Sequence, residues 1–231
     1  MNYLTNAAKL EMLKGRLVVS CQAYPGEPMR HSDTMTRVAR ACLMGGAAGI
    51  RAQGLSDLNA IRKITDNPII GLVKSGNRGV FITPTLELAL AVTQTGADIV
   101  AIDGTTRPRP DGLSLTEVVT RLHADTSAMV MADISTLEEA LNAVDAGVDV
   151  IGTTLAGYTP YSNKTDGPDL ELLSAIKNST GTPVVAEGRI HTPEQAANAL
   201  QLGAHSVVVG TAITHPSTIT SWFVNALPNH R

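Results

Sequence analysis

The 231-residue sequence predicts an α/β protein, a single (β/α)8 barrel with a short N-terminal helix. Three observations predict it. An apolar, β-branched run that ends at a polar residue or glycine recurs eight times, each followed by an amphipathic stretch. The runs lack polar alternation, as in parallel strands covered on both faces. No linker or low-complexity segment divides the chain, so residues 1–231 read as one domain. An open doubly wound sheet is the competing architecture. It usually has fewer strands and a Gly-rich turn after the first, which "CQAYPGEP" does not supply.

In chain order, "NAAKLEMLKG" reads as a short helix over the barrel floor. The strand runs are "GRLVVSCQ", "AAGIRAQG", "NPIIGLVK", "ADIVAIDG", "SAMVMADI", "VDVIGTT", "TPVVAEG" and "HSVVVG". The helical stretches after them are "DTMTRVARACLMGG", "LSDLNAIRKIT", "TLELALAVTQTG", "SLTEVVTRLHAD", "STLEEALNAVDAG", "DLELLSAIKNST", "TPEQAANALQLG" and "STITSWFVNAL". Helix punctuation agrees. Ser135 with Glu138 reads as a capping box, and Thr192 precedes Pro193 at a first-turn position. Gly147 and Gly203 stand where C-terminal caps belong.

Composition excludes several function classes. The net charge of −3 lacks the clustered Lys and Arg that nucleic-acid backbones need, and 3% aromatic residues are too few for base-stacking platforms. No run approaches the roughly 18 apolar residues of a membrane span. Lys9, Glu11, Lys14 and Arg16 interrupt the N-terminus, which therefore does not read as a signal peptide. Cys21 and Cys42 read as two reduced, mostly buried thiols, and the expected location is cytoplasmic.

A barrel of this class builds its site from the C-terminal ends of the strands. Those ends supply Gln22, Arg51 with Gln53, Lys74, Asp103, Asp133, Thr154, Glu187 and Gly210. The ring is dense in charge and contains none of the six histidines; with no HExxH-type set, no metal site is expected. Gly188 and Arg189 after strand seven, with Gly210 and Thr211 after strand eight, read as a phosphate clamp, because glycine lets backbone N–H groups approach an anion.

Lys74 is the sharpest feature. Period-2 alternation puts it on the side of Leu72, so it points into the mouth if Leu72 fills the barrel. Burial and nearby Arg51 would lower its pKa toward that of a base, while Glu187 would pull the other way. Strands three and seven are four apart in a ring of eight, so Lys74 and Glu187 face each other across the pocket. That suits removing a proton from one face of a carbon beside a carbonyl and restoring one to the other. A Schiff-base aldolase also uses a barrel lysine, but usually on strand six, where this chain has "VIGTT".

The combination of "IGLVK", "DGTTRPRPDG", "MADIST", "GTTLAGYTPYS", "VVAEGRIHTPEQA" and "VVVGTAIT" closely resembles the N-acetylmannosamine-6-phosphate 2-epimerases of bacterial sialic acid catabolism. The resemblance runs from about Lys14 to Pro216. It implies a TIM barrel that interconverts N-acetylmannosamine 6-phosphate and N-acetylglucosamine 6-phosphate, with no metal or redox cofactor. By the same resemblance Lys74 and Glu187 are the catalytic lysine and glutamate. Arg51 and Asp133 hold the substrate's polar groups, Gln22 is the glutamine ending the first strand, and Gly188, Arg189, Gly210 and Thr211 lie in the phosphate region. Thr154, from its place in the ring, is read as a further substrate contact. Lys74 would take the carbon 2 proton of the open-chain sugar while Arg51 stabilises the enediolate; Glu187 would either return a proton or orient the N-acetyl group.

The expected partner is thus a phosphorylated N-acetyl amino sugar, without nucleic acid or membrane, and the family implies a homodimer. Trp222 and Phe223 read as packing on the barrel or on a partner. "TTRPRPDG" and "AGYTPYSNKTDG" read as lids or as ordinary surface loops, with Arg107 and Arg109 open between the two. Other sugar-phosphate barrels, and a binding protein without the acid–base pair, are the competing functions. Pentose-phosphate epimerases typically need histidines at strand ends, and retained Lys74 and Glu187 speak against mere binding.

Overall fold

Within each apolar run the two parities of the strand carry different residues, and that difference shapes the molecule. The computed structural model describes residues 4–76 and 79–228. It places β1 (Leu17–Cys21), β2 (Gly49–Gln53), β3 (Ile69–Leu72), β4 (Ile99–Asp103), β5 (Met129–Asp133), β6 (Val150–Gly152), β7 (Val184–Glu187) and β8 (Ser206–Val209) in one closed barrel. All neighbours are parallel and in chain order, and β1 closes the ring on β8 through Leu17 opposite Val207. The sequence-based expectation of a (β/α)8 barrel is therefore met.

The helices are α1 (Asn6–Leu13) before the barrel, then α2 (Ser32–Met44), α3 (Leu55–Arg62), α4 (Leu86–Gln94), α5 (Leu115–Asp125), α6 (Leu137–Asp145), α7 (Leu170–Ser179) and α8 (Pro193–Gln201) between strands. A short α9 (Thr211–Thr214) and α10 (Pro216–Ala226) follow β8. Outward strand residues such as Val19, Ile50, Val100, Val130 and Val184 pack under these helices. Each such burial contributes about 1.5–3 kcal/mol.

Inward residues build the barrel interior: Val18, Ile70, Leu72, Ile99, Met129, Met131, Val150, Val185 and Val208 fill its lower and middle levels. Leu13 joins that cluster from α1 and plugs the floor, where the N-terminal helix was expected. Two residues further along the same parity the chemistry changes to Ser20, Arg51, Lys74, Asp103, Asp133, Thr154 and Glu187. The barrel is thus apolar below and charged above.

The floor is tied by Asp98, whose carboxylate lies 2.7 Å from Lys9 of α1 and 2.9 Å from Arg62 of α3 and accepts the Ile69 N–H at 2.8 Å. His205 sits 2.8 Å from the Leu10 carbonyl oxygen on the same floor. Thr192 caps α8 in a full capping box with Gln195, and Gly147 and Gly203 follow α6 and α8 with φ of +87° and +95°. One capping expectation fails. Thr136, not Ser135, is the N-cap of α6, accepting from Glu139 N–H at 3.2 Å. The cap moves by one residue: Glu139, on the buried face of the helix, accepts the Ser135 N–H at 2.8 Å, while Glu138 is exposed.

Gly49 shows how tightly the plug fits. A Cβ there would lie 2.8 Å from the Pro68 carbonyl oxygen and 2.9 Å from Leu13 Cδ2. Gly49→Ala is therefore expected to cost about 1–3 kcal/mol through overpacking. Thermal unfolding followed by circular dichroism should show Tm lowered by roughly 2–12 °C, and an unchanged Tm would refute the tight floor.

Candidate active site

The polar upper level opens into a pocket of about 550 Å³ at the C-terminal ends of the strands. Lys74, Glu187, Gln22, Arg51, Thr154, Gly188, Arg189, Gly210 and Thr211 all line it. Asp133 does not. It is 0% exposed beneath the pocket floor, where it pairs with Arg51 rather than reaching the pocket surface. The physical reason is length: an aspartate on β5 reaches only as far as the guanidinium that covers it.

Arg51 is itself 1% exposed. Its Nη2 donates to Asp133 Oδ2 at 2.5 Å and its Nη1 to Asp133 Oδ1 at 3.3 Å, a bidentate fork. Its Nε lies 3.2 Å from Glu187 Oε1, within ion-pair distance though misaligned for a hydrogen bond. Burial opposes its charge, but Asp133 and then Glu187 outweigh that and hold the guanidinium above its usual range.

Thr154, in the 3-10 turn Thr153–Leu155 after β6, sets its Oγ1 2.7 Å from Asp133 Oδ1 and 3.1 Å from Glu187 Oε2. One hydroxyl proton serves only one carboxylate at a time. Thr153 fixes the backbone beside it, donating to the Glu187 carbonyl oxygen at 2.9 Å and accepting its N–H at 3.0 Å. Burial pushes the Glu187 carboxyl up to about 7, against the pull of Arg51. Its side chain is 12% exposed, enough to meet a small molecule.

Lys74 stands just past the end of β3, where Val73–Ser75 pair with Phe81–Thr83: Thr83 N–H donates to Val73 O at 2.7 Å and Ser75 N–H to Phe81 O at 3.0 Å. An isolated antiparallel bridge to Ile82 holds its backbone. Burial, then repulsion from Arg51, lowers its amine below the usual lysine range, with Glu187 and Asp133 opposing and Arg30 reinforcing. The expected directions of both influences are met. Among the described residues Lys74 makes no salt bridge with Glu187.

At the other end of the pocket, Gly188 and Arg189 turn with φ of +103° and +54°, and Gly210 precedes α9. The Arg189 guanidinium is engaged by the neighbouring loop. It donates to Gly167 O at 3.0 Å, to Ala156 O and to Thr165 Oγ1 at 2.9 Å, and lies 5.3 Å from the Tyr158 ring. Arg107 and Arg109 are also claimed by the fold. Arg107 pairs with Asp103 at 2.7 Å, and buried Arg109 donates to the carbonyls of Asp103 and Thr83, both at 2.9 Å.

Sequence reasoning missed Tyr24, Arg30, Tyr158, His191 and His215, which line the pocket from loops beyond the strand ends. The strand-end ring holds no histidine, as read, but two enter from these loops. The Pro-Gly turn in "QAYPGEP" was the one local signal for Tyr24. Both cysteines are free, Cys21 buried as expected. Among the described residues no group of three or more His, Cys, Asp and Glu is placed to hold a metal ion, and no helix is long and apolar enough to cross a membrane.

A sequence model of the family described as "Putative N-acetylmannosamine-6-phosphate epimerase" matches residues 35–229. A protein of Cutibacterium acnes named "Putative N-acetylmannosamine-6-phosphate 2-epimerase" is 55% identical over 217 residues, covering 93% of this chain and 95% of its own. One of the same name from Clostridium perfringens strain SM101 is 46% identical over 220 residues, covering 94% of this chain and 99% of its own. The solved structure of the N-acetylmannosamine-6-phosphate 2-epimerase from Clostridium perfringens superposes with a TM-score of 0.93 at 43% identity, covering 98% of this chain and 100% of that one. Thiamine phosphate pyrophosphorylase from Pyrococcus furiosus, with a TM-score of 0.61 at 24% identity over 92% of each chain, shares the fold alone.

The electrostatic arrangement yields a stability prediction. Asp133→Ala leaves Arg51 buried with only Glu187 nearby, and removing one partner of a buried pair costs roughly 3–5 kcal/mol. Urea denaturation should show that loss. A variant as stable as the parent would mean that Asp133 is not the anchor of the guanidinium.

Proposed function

We propose, from the premise that the chain belongs to the N-acetylmannosamine-6-phosphate epimerase family, that it interconverts N-acetylmannosamine 6-phosphate and N-acetylglucosamine 6-phosphate. It is an isomerase that removes and restores the proton on carbon 2, and it acts in amino sugar catabolism. The observation that carries the reading is the placement of Lys74 and Glu187 on β3 and β7 sides of one pocket, over the Arg51–Asp133 pair.

The reaction starts from the open-chain sugar, whose aldehyde acidifies the carbon 2 proton. Lys74, its amine lowered by burial and Arg51, takes that proton. Negative charge develops on the carbonyl oxygen, and Arg51, already fixed by Asp133, needs no rearrangement to stabilise it. Glu187, able to hold a proton near neutrality, supplies one to the opposite face. Gln22 is 7% exposed and its Oε1 has no partner, which suits a hydroxyl or amide N–H of the sugar. Thr154 Oγ1 is a second such contact. No step calls for a metal or redox cofactor.

The phosphate lies against the Gly188–Arg189 turn and the Gly210–Thr211 start of α9, met by backbone N–H groups. Arg189 acts there by bracing the 156–167 loop rather than by a free guanidinium. A net charge of −3 fits a small phosphorylated partner rather than nucleic acid. Two free thiols and a charged substrate, which does not cross membranes unaided, fit a cytoplasmic site of action.

The working unit is a homodimer. No residue of α10 is buried; Phe223 is 72% and Leu227 59% exposed. An apolar groove of about 510 Å³ lined by Leu17, Val19, Val38, Ala41 and Ile213 lies open nearby. A second copy covering these surfaces would remove them from water.

Proton NMR of N-acetylmannosamine 6-phosphate with the protein in heavy water tests substrate, reaction and proton route together. Product is expected to gain deuterium at carbon 2, and Lys74→Ala to lose turnover while still binding inorganic phosphate. Full activity in that variant would overturn the assignment.

The pH profile tests the division of labour. Glu187 is protonated below about 7 and a carboxylate above it; Lys74 is an ammonium at low pH and a free amine at high pH, with its midpoint below 10.5. A mechanism needing a neutral lysine and a protonated glutamate gives a bell in kcat/KM: activity rises as Lys74 loses its proton and falls as Glu187 loses its own, and the fall at high pH is lost in Glu187→Gln. A rise to an alkaline plateau would make Glu187 an orienting carboxylate instead.

A further inference from the structure

The loop after β1 carries a side chain that touches the lysine from outside the strand-end ring. Tyr24 begins a Tyr-Pro-Gly-Glu turn closed by Glu27 N–H donating to Tyr24 O at 3.1 Å, with Gly26 at φ +88°. Glu27 also reaches back, its Oε2 accepting Tyr24 N–H at 2.6 Å. The preceding carbonyl, Ala23 O, accepts from Arg30 Nη1 at 2.8 Å and from Gln53 Nε2 at 3.2 Å. The backbone of Tyr24 is thus fixed on both sides.

Its ring is fixed too. The His215 imidazole packs against it, tilted by 56° with centroids 5.1 Å apart. Lys74 Nζ lies 5.2 Å from the ring centroid, inside the range of a cation–π contact. The ring lines the same pocket as Lys74 and Glu187, yet half of the residue is exposed, so it is not a core residue.

Lys74 has an obvious alternative. The charged groups facing it are Glu187 on β7, Asp133 on β5, Arg51 on β2 and Arg30 in the β1–α2 loop. A flexible lysine near Glu187 would swing into an ion pair, which would hold the amine protonated and the glutamate ionised. Both groups would then be tied to each other. We propose that Tyr24 is a positioning residue: its ring face holds Lys74 Nζ over the substrate side of the pocket and keeps it from closing onto the Glu187 carboxylate. This rests on the epimerase reading only for its consequence in turnover; the placement of the lysine is a property of the protein alone.

The experiment uses the full-length protein with Tyr24→Phe, which keeps the ring, and Tyr24→Leu, which keeps apolar bulk without a π face. Tyr24→Phe is expected to stay within about twofold of the parent in kcat. Tyr24→Leu should lose about tenfold in kcat with KM changed less than about threefold, the scale of losing one cation–π contact. In Tyr24→Leu the two titrations should move apart, that of Glu187 downward and that of Lys74 upward, by about half to one pH unit.

Lys74 is read independently of catalysis by NMR titration of its 13Cε signal, assigned with Lys74→Arg. Equal kcat in the two variants, or a Lys74 titration that is unmoved or moves down in Tyr24→Leu, would overturn the proposal. A loss confined to KM would make Tyr24 a wall of the substrate pocket and also overturn it. If Lys74→Ala kept full activity, the base assignment would fall, while the Lys74 titration in Tyr24→Leu would still decide the placement.

Discussion

The Arg51–Asp133 pair is the interaction on which the rest of the site depends. A guanidinium 1% exposed in the throat of a barrel is tolerable only with a partner below it, and Asp133 supplies a bidentate one. Everything above inherits that choice. Glu187 lies beside a cation already claimed by another carboxylate, so burial outweighs attraction and its carboxyl titrates near 7 instead of near 4. Lys74 lies near the same cation and is pushed the other way. Had Asp133 been absent, Glu187 would be the sole counter-ion of Arg51 and would be held ionised.

The barrel makes this arrangement reachable from a short sequence. Inward positions are every second residue, so three successive ones climb from floor to mouth: Val18, Ser20 and Gln22 on β1 and beyond, Ile70, Leu72 and Lys74 on β3, Met129, Met131 and Asp133 on β5. The lowest layers are apolar because they meet only each other and Leu13. The top layer is polar because it meets the pocket. A one-residue slip in β4, β5 or β7 would exchange an inward carboxylate for an outward apolar residue such as Ile102, Ala132 or Ala186, so the register of the ring and the chemistry of the site are specified together.

That coupling explains how much could be read beforehand. Lys74, Arg51, Glu187 and Thr154 were legible because parity and the end of an apolar run place them without any knowledge of tertiary contacts. The depth of Asp133 was not, since it depends on which neighbour is long enough to cover it. The jobs of Arg107, Arg109 and Arg189 were illegible for a related reason. A guanidinium finds carbonyls such as Asp103 O or Gly167 O that no local pattern marks as free. Tyr24, His191 and His215 come from irregular loops, where neither period applies. The capping of α6 slipped by one residue because Ser135 and Thr136 are both capable caps, and burial of Glu139 decided between them.

The same constraints set a conflict that the fold has to resolve. Proton transfer needs a lysine and a carboxyl whose pKa values approach each other, yet a lysine and a glutamate sharing one pocket lower their free energy most by pairing, which drives those values apart. Three features oppose the pairing here. Arg51 stands beside Glu187 at 3.2 Å, occupying the carboxylate's nearest approach. The pairing of Val73–Ser75 with Phe81–Thr83 fixes the lysine backbone on the opposite wall. The Tyr24 ring offers Nζ a second resting place 5.2 Å away, held by its own turn. Each is weak beside a fully formed ion pair, but they act at different points, Arg51 on the Glu187 carboxylate, the bridge to Ile82 on the Lys74 backbone and the ring on Nζ. The site therefore keeps two groups out of their individually best contact, and in the proposed reaction that separation leaves room between them for a carbon atom to lose one proton and receive another.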